Sequence, residues 1–382
     1  MTIYWIYIAT CLIAVIAVLR LTPLVKAAAL KLKKLDAPCE RKIHQQPMVR
    51  LGGIAIFSAT VFSLFCIGSL ACVTDVLKHF TQESVSTIFL LIAGGSGFFL
   101  IGLADDLLDL SPFNRLWMQG AIASLVWSFG IQINTLTIPG IAEPISLGWL
   151  SLPITVFWIA GVVNAINWID GLDGLATGVS SIAVATLVVL GMALSQPVLA
   201  IVGAALLGSL LGFLVYNYSP ATIFMGDGGS YFIGFILASL CIVGSQHLSS
   251  PFATLLPLIV LAIPLGDMTY VILSRIYRKQ SPFSADNLHL HHRLLRQEMT
   301  HETAVWIIYV LTLATGSLAL VLAGLAGMLT LFTGLAILLC FLVWQVSSVA
   351  ILFRESNQLS KQPSQHLANL ITRKDLWYSK NP

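Results

Sequence analysis

Two adjacent carboxylates, Asp105 and Asp106, close an apolar run in GLADDLLDL (102–110). At a membrane boundary such a pair repels and suits a divalent cation or a shared proton. A helix-ending acidic turn is the plainer alternative, and Asp109 reads as ordinary loop polarity. In NAINWIDGLDGLATG (164–178), Asn164, Asn167, Asp170 and Asp173 recur every third residue, near one side of a helix end. Gly171 and Gly174 let the backbone turn there and expose N–H groups to an anion. Asx turns at a capped boundary account for one or two of these side chains, not four. In YNYSPATIFMGDGGSYF (216–232), Asp227 stands between Gly226 and Gly228–Gly229 just ahead of an apolar run, where backbone amides and a helix N-terminus converge. A simple N-cap would explain Asp227 equally well.

SADNLHLHHRLLRQ (284–297) gathers His289, His291, His292, Arg293 and Arg296 into a donor cluster suited to phosphate oxygens. Three histidines could ligate zinc, but no fixed fourth ligand accompanies them. Carboxylates with glycine-rich loops favour a hard cation such as Mg²⁺, with Mn²⁺ as its substitute, held by a few carboxylates and by substrate phosphates. In ERKIHQQPMVRLGG (40–53), Lys42, His44 and Arg50 could enforce topology against anionic lipids. Those nearest Gly52–Gly53 are better placed to bind substrate. Together the blocks fit phosphoryl transfer, in which a metal neutralises phosphate charge and positioning does most of the work. A carboxylate or imidazole base would orient the attacking oxygen.

Membrane helices must position these residues. The 382 residues are 57% hydrophobic and 10% charged, with mean hydropathy +0.89. A soluble domain carries about 25% charged residues, so the solvent here is lipid. A span needs roughly 17–25 apolar residues. Candidates fall at 3–24, 51–72, 86–103, 115–131, 150–166, 177–193, 197–216, 230–247, 253–274, 304–322 and 326–350. The fold class is therefore all-α, a polytopic integral membrane protein of eleven transmembrane helices. The count is ten if the break at Ser195–Pro197 or at Gly324–Gly327 is not a turn. Met1–Leu19 lacks the basic start of a signal peptide and reads as a retained first span with its N-terminus outside.

With that orientation the internal segments are 25–50, 104–114, 167–176, 217–229, 275–303 and the tail after Phe353. Of the 20 Lys and Arg residues only Lys78 then falls outside, as the positive-inside rule expects. That rule predicts nothing about carboxylates. Yet Asp105, Asp106, Asp109, Asp170, Asp173, Asp227 and Asp286 share the internal side, and Asp267 lies in the ninth span about two turns from its internal end. Gln132–Gly148, β-branched and broken by Pro-Gly, reads as a small external β-hairpin. The six scattered cysteines read as apolar filler. The chain divides into one transmembrane catalytic domain (1–353) and a polar cytoplasmic tail (354–382).

GLADDLLDLSP, NAINWIDGLDGLATG, FMGDGGS and HLHHRLL, with RKIHQQPMVRLGG ahead of them, stand in the order found in the polyprenyl-phosphate N-acetylhexosamine-1-phosphate transferases (glycosyltransferase 4 type). The chain resembles that family over residues 36–300. It looks closest to the UDP-GlcNAc:undecaprenyl-phosphate transferases. The phospho-N-acetylmuramoyl-pentapeptide transferases, acting on UDP-MurNAc-pentapeptide, usually carry a different pattern from HLHH. The resemblance implies a cytoplasmic cleft in the inner (plasma) membrane, where undecaprenyl or another polyprenyl phosphate attacks the β-phosphate of UDP-GlcNAc. UMP leaves, and the lipid-linked sugar initiates a cell-envelope polysaccharide such as lipopolysaccharide or teichoic acid. The partners implied are these two substrates and the bilayer, with no nucleic acid; a homodimer is compatible with them.

By the same resemblance, Asp105 and Asp106 match the family's paired aspartates, Asp105 as the candidate for handling the lipid phosphate. Asp227, with Asp106, matches the Mg²⁺ site. Asn164, Asn167, Asp170 and Asp173 match the nucleotide and catalytic loop, and Asn217 a residue near the uridine. His289, His291, His292 and Arg293 match the loop that contacts diphosphate or sugar, Lys42, His44 and Arg50 a substrate-binding segment, and Arg115 and Gln119 weaker lipid-phosphate contacts. Trp168 and Gly228 depart from the usual residues at their positions and touch sugar or nucleotide preference. A transporter would instead place charges near the midplane in two related halves, whereas here only Asp267 lies deep. A partner-binding scaffold has no need of all these blocks on one side.

Overall fold

The computed structural model describes residues 2–31, 48–73, 80–141, 143–246, 248, 251–281 and 288–325. Lys42, His44, the eleventh expected span (326–350) and the tail (354–382) lie outside them. The helices are α1 (Thr2–Lys31), α2 (Gly53–Val73), α3 (Gln82–Leu108), α4 (Pro112–Ser128), α5 (Ser151–Ile169), α6 (Leu175–Ala193), α7 (Pro197–Asn217), α8 (Gly226–Gln246), α9 (Leu255–Val260), α10 (Ala262–Tyr277), α11 (Leu290–Leu295) and α12 (His301–Leu322). Among the described residues eight helices are long and apolar enough to cross a membrane: α1, α2, α3, α5, α6, α7, α8 and α12. The protein is an all-α, polytopic membrane protein. Between α4 and α5, β1 (Thr135–Leu136) and β2 (Ile145–Ser146) pair antiparallel with Thr135 opposite Ser146, which is the expected small hairpin.

The ninth expected span, 253–274, is two helices and not one. Pro264 has no N–H for the carbonyl of Val260, and its ring crowds that carbonyl. The chain therefore breaks at Leu261 (φ −103°, ψ 20°) between α9 and α10. α3 in turn outruns its expected 86–103. Thr81 accepts from the Ser84 N–H and so caps a polar first turn, while Asp109, left-handed at φ 50°, closes the far end by donating its N–H to the Asp105 carbonyl.

α8 is the hub, packed against α3, α5, α2 and α6. Of its apolar stretch 94% is buried, against 22% for α1, which faces outward. Several hydroxyls inside the spans bond back to their own helices, as Thr10 to the Ile6 carbonyl and Thr312 to that of Ile308, which satisfies them without water. At the end bearing the hairpin, Thr137 and Thr254 exchange hydrogen bonds and the Gln246 amide donates to the Gln132 carbonyl. A crevice of about 900 Å³ opens there between the start of α3, the end of α4 and the Ser195–Pro197 turn. The polar blocks meet at the other end.

Candidate active site

Two blocks are stitched together by backbone. The Phe224 N–H donates to the Val49 carbonyl (2.8 Å), Gly52 N–H to the Phe224 carbonyl (2.9 Å) and Gly53 N–H to the Met225 carbonyl (2.7 Å). The segment before α2 thus runs beside the FMGD block and brings the Arg50 Nη2 to 3.7 Å from Asp227 Oδ1.

Asp106, in the last turn of α3, clasps the first turn of α8. Its Oδ1 accepts from the Asp227 N–H (3.0 Å) and its Oδ2 from the Gly228 N–H (2.9 Å). A carboxylate in this position satisfies amides that the helix leaves unpaired and complements the helix dipole. Gly226, at φ 72°, is required for the approach, since a side chain there would strike the Arg50 carbonyl and the Asp106 carboxylate. The anion expected at these glycine-flanked amides is the protein's own Asp106.

Asp106, and not the Asp227 carboxylate, therefore caps the first turn of α8. Asp227 Oδ1 accepts from Asn167 Nδ2 at 2.7 Å, while the same amide also donates to Ser230 Oγ (3.0 Å). Asp227 lies within hydrogen-bonding reach of Asp105 and keeps 18% of its side chain exposed. Asp105 is 5% exposed. It accepts from Arg115 Nη1 at 2.7 Å on Oδ2 and from the Leu110 N–H at 2.9 Å on Oδ1. Both of its oxygens are therefore engaged, the first by a charge-assisted bond between α3 and α4.

The second block splits between chemistry and framework. Asp170, half-buried at the end of α5, faces Arg50, Asp227 and Asp173. Burial, with Asp227 and Asp173 beside it, pushes its carboxyl up to about 7 against the opposing pull of Arg50. Such a group takes and releases a proton near neutrality. Asp173 accepts the Ala221 N–H at 2.8 Å and ties its loop to the one before α8. Asn164 donates to Gln119 Oε1 (2.8 Å) and to the Ala160 carbonyl (2.7 Å), linking α5 to α4. Asn217, 2% exposed, accepts from the Thr177 hydroxyl (2.6 Å) and donates to the Ile223 carbonyl (3.1 Å), so both ends of its amide are engaged.

The histidine loop closes over this end. His291 is buried against Gly171, where any side chain would collide with its ring. Its ring stacks on that of His289 (5.7 Å) and lies tilted against that of His292 (4.3 Å). Burial, with His292 and His289 beside it, lowers the His291 ring to about 3 against the opposing pull of Asp267. It is neutral, and its Nδ1 has no hydrogen-bond partner among the described residues. Arg293 lies over the Tyr270 ring at 4.5 Å. Trp168 is sandwiched, with His289 edge-on at 5.8 Å and the Arg275 guanidinium 5.0 Å over its ring.

Arg275, 4% exposed, and Asp267, 7% exposed, were not among the expected site residues. The signal for Asp267 was a carboxylate inside an apolar span. Nothing in the Arg275 surroundings marked it off from the other basic residues after the ninth span. Among the described residues no three His, Cys, Asp or Glu side chains form a metal cage. Five carboxylates (Asp105, Asp106, Asp170, Asp173, Asp227) nevertheless crowd two guanidinium groups, Arg50 and Arg115. That excess suits a hard cation completed by substrate oxygens.

Residues 88–245 match the family model of glycosyl transferase family 4. A probable undecaprenyl-phosphate N-acetylglucosaminyl 1-phosphate transferase of Bacillus subtilis (strain 168) is 35% identical over 321 residues, 84% of this chain and 86% of the relative. A decaprenyl-phosphate N-acetylglucosaminephosphotransferase of Mycobacterium leprae is 32% identical over 75% of this chain and 76% of its own length. An undecaprenyl-phosphate alpha-N-acetylglucosaminyl 1-phosphate transferase of Escherichia coli (strain K12) is 30% identical over 77% of each. With the described parts of its polar blocks gathered at one end of a helical bundle and relatives matched over most of its length, the chain belongs to glycosyl transferase family 4 and is a membrane-embedded transferase.

Proposed function

We propose that the chain transfers N-acetylglucosamine-1-phosphate from UDP-GlcNAc to undecaprenyl phosphate or a related polyprenyl phosphate. An oxygen of the lipid phosphate attacks the β-phosphorus, the bond to the bridging oxygen breaks, UMP leaves and a sugar-diphosphate-polyprenol remains. The observation that carries this reading is the division of labour between Asp106 and Asp227: one carboxylate holds the helix end, and the other stands partly exposed beside Asn167 and Arg50. The names of the relatives support the same lipid and sugar.

Asp227 would hold Mg²⁺ (or Mn²⁺), with Asp105 and Asp106 behind it, and the ion would neutralise charge on the diphosphate. Arg50 is within reach of the same phosphates. Asp170 is the group suited to take the proton of a monoprotonated lipid phosphate and to orient its oxygen. His291, neutral and packed on Gly171, sets the depth of the histidine loop over the cleft. The positive-inside rule supports a cytoplasmic cleft in the plasma (inner) membrane with the N-terminus outside. Arg20, Lys26, Arg50, Arg115, Arg278 and Lys279 all sit toward this end.

The test is UMP release by the purified protein with undecaprenyl phosphate and Mg²⁺, comparing UDP-GlcNAc with UDP-MurNAc-pentapeptide. Turnover of UDP-GlcNAc is expected. Turnover of the pentapeptide substrate alone would replace the sugar assignment, and movement of substrate across liposomes without consumption of UDP-sugar would replace the reaction.

A further inference from the structure

Asp267 has no part in the chemistry above, yet it is a carboxylate enclosed at 7% exposure in α10, two turns beyond the helix break at Leu261. An acid at that depth costs several kcal/mol unless its oxygens are satisfied. Both serve the histidine loop. Oδ1 accepts from the Leu290 N–H, the first of α11, at 2.6 Å, and Oδ2 accepts from His289 Nδ1 at 2.8 Å. The His289 ring is then fixed on two further sides, by the edge contact with Trp168 and the stack on His291.

We propose that Asp267 is a positioning residue that fixes the ring hydrogen of His289 on Nδ1 and leaves Nε2 as its acceptor. A carboxylate cannot donate, so the hydrogen between Nδ1 and Oδ2 belongs to the ring. With that one hydrogen on the ring, the second nitrogen carries a lone pair. An acceptor is mismatched to a phosphate oxygen and matched to a donor, and on a UDP-N-acetylhexosamine the donors are the ribose and hexosamine hydroxyls, the uracil N3–H and the acetamido N–H. His289 therefore recognises a donor of the nucleotide-sugar and not its diphosphate, and Asp267 sets that recognition from behind. This assignment rests on the transferase reading of the site.

Asp267→Asn separates a tautomer role from a packing role. The Leu290 N–H cannot change and still needs an oxygen, so the Asn Oδ1 serves it and Nδ2 replaces Oδ2. His289 Nδ1 then faces a donor and must accept, which moves the ring hydrogen to Nε2.

The full-length protein, ¹⁵N-labelled at its histidines and held in lipid nanodiscs, reports this directly. The pair of ring nitrogen signals that disappears in His289→Gln should show Nδ1–H in the wild type and Nε2–H in Asp267→Asn. Turnover of Asp267→Asn should drop about 10- to 100-fold in kcat, and Asp267→Asn/His289→Gln should be no slower than His289→Gln alone.

The proposal is overturned by one tautomer in both proteins, by an Nε2–H or doubly protonated ring in the wild type, or by losses that multiply in the double variant. If Asp267→Asn does not fold, the wild-type and His289→Gln spectra decide by themselves. The spectra need no substrate, so a wild type that turns over no UDP-sugar would overturn the transferase reading and leave the tautomer result standing.

Discussion

The two ends of the bundle differ in what their polar groups do. At the hairpin end there is room, about 900 Å³ in the crevice beside the Ser195–Pro197 turn, and the cross-links are neutral, such as Thr137 with Thr254. At the other end carboxylates are packed against carboxylates and held by amides from helices far away in sequence, Asp106 on Gly228 and Asn167 on Asp227. Space is thus a poor guide to chemistry in a membrane enzyme. Charge kept out of water against its desolvation cost is the better one.

The sharpest way to break the contrast is Asp227→Asn. Turnover should fall about 1,000-fold, the kinetic equivalent of losing several kcal/mol of metal-borne charge stabilisation, while thermal unfolding in detergent changes little. A comparable fall in unfolding temperature would return Asp227 to a structural role. Gly171→Ala should displace His291 and lower kcat up to about 100-fold, as small misplacements at a reacting centre do, without loss of expression; full activity would detach the histidine loop from the chemistry.

A pH–rate profile comes next. Because burial raises Asp170 to about 7, its protonated form predominates below that value, so kcat/KM should rise with pH through about 7. Asp170→Glu should move that limb, and an unmoved limb would assign it to another group.

Asp106→Asn presents an amide N–H to one of two backbone donors and should destabilise the fold by about 1–3 kcal/mol, which chemical denaturation in mild detergent can read. At the hairpin end, Thr137→Val should cost about 1 kcal/mol and leave turnover unchanged. An effect of Thr137→Val on kcat would erase the distinction between the ends.

Much of this was legible in the residues themselves. The hairpin announced itself by Pro139-Gly140 between β-branched runs, and the acid-bearing blocks by carboxylates that hydropathy alone would exclude from a span boundary. The break at Leu261 was written in Pro264, but a hydropathy window averages over prolines and reads one continuous span. What could not be read was partnership. Nothing in GLADDLLDL tells Asp105 from Asp106, because their fates are decided by Arg115 on α4 and by amides of α8 that lie 121 and 122 residues on. Asn217 likewise carries the residue type of a ligand contact, and only the fold commits both ends of its amide to Thr177 and Ile223.

The Asp106 clasp also bears on how the chain is made. Helices enter a membrane in order of synthesis, and the exposed amides of an uncapped helix end are costly beside hydrocarbon. When α8 emerges, its cap is already waiting on α3. A chain ending before α8 lacks the backbone that Asp106 holds, whereas a chain lacking α3 leaves α8 with a raw end and Asp227 adrift. Biosynthesis from the N-terminus therefore delivers the clamp before the residue it must aim.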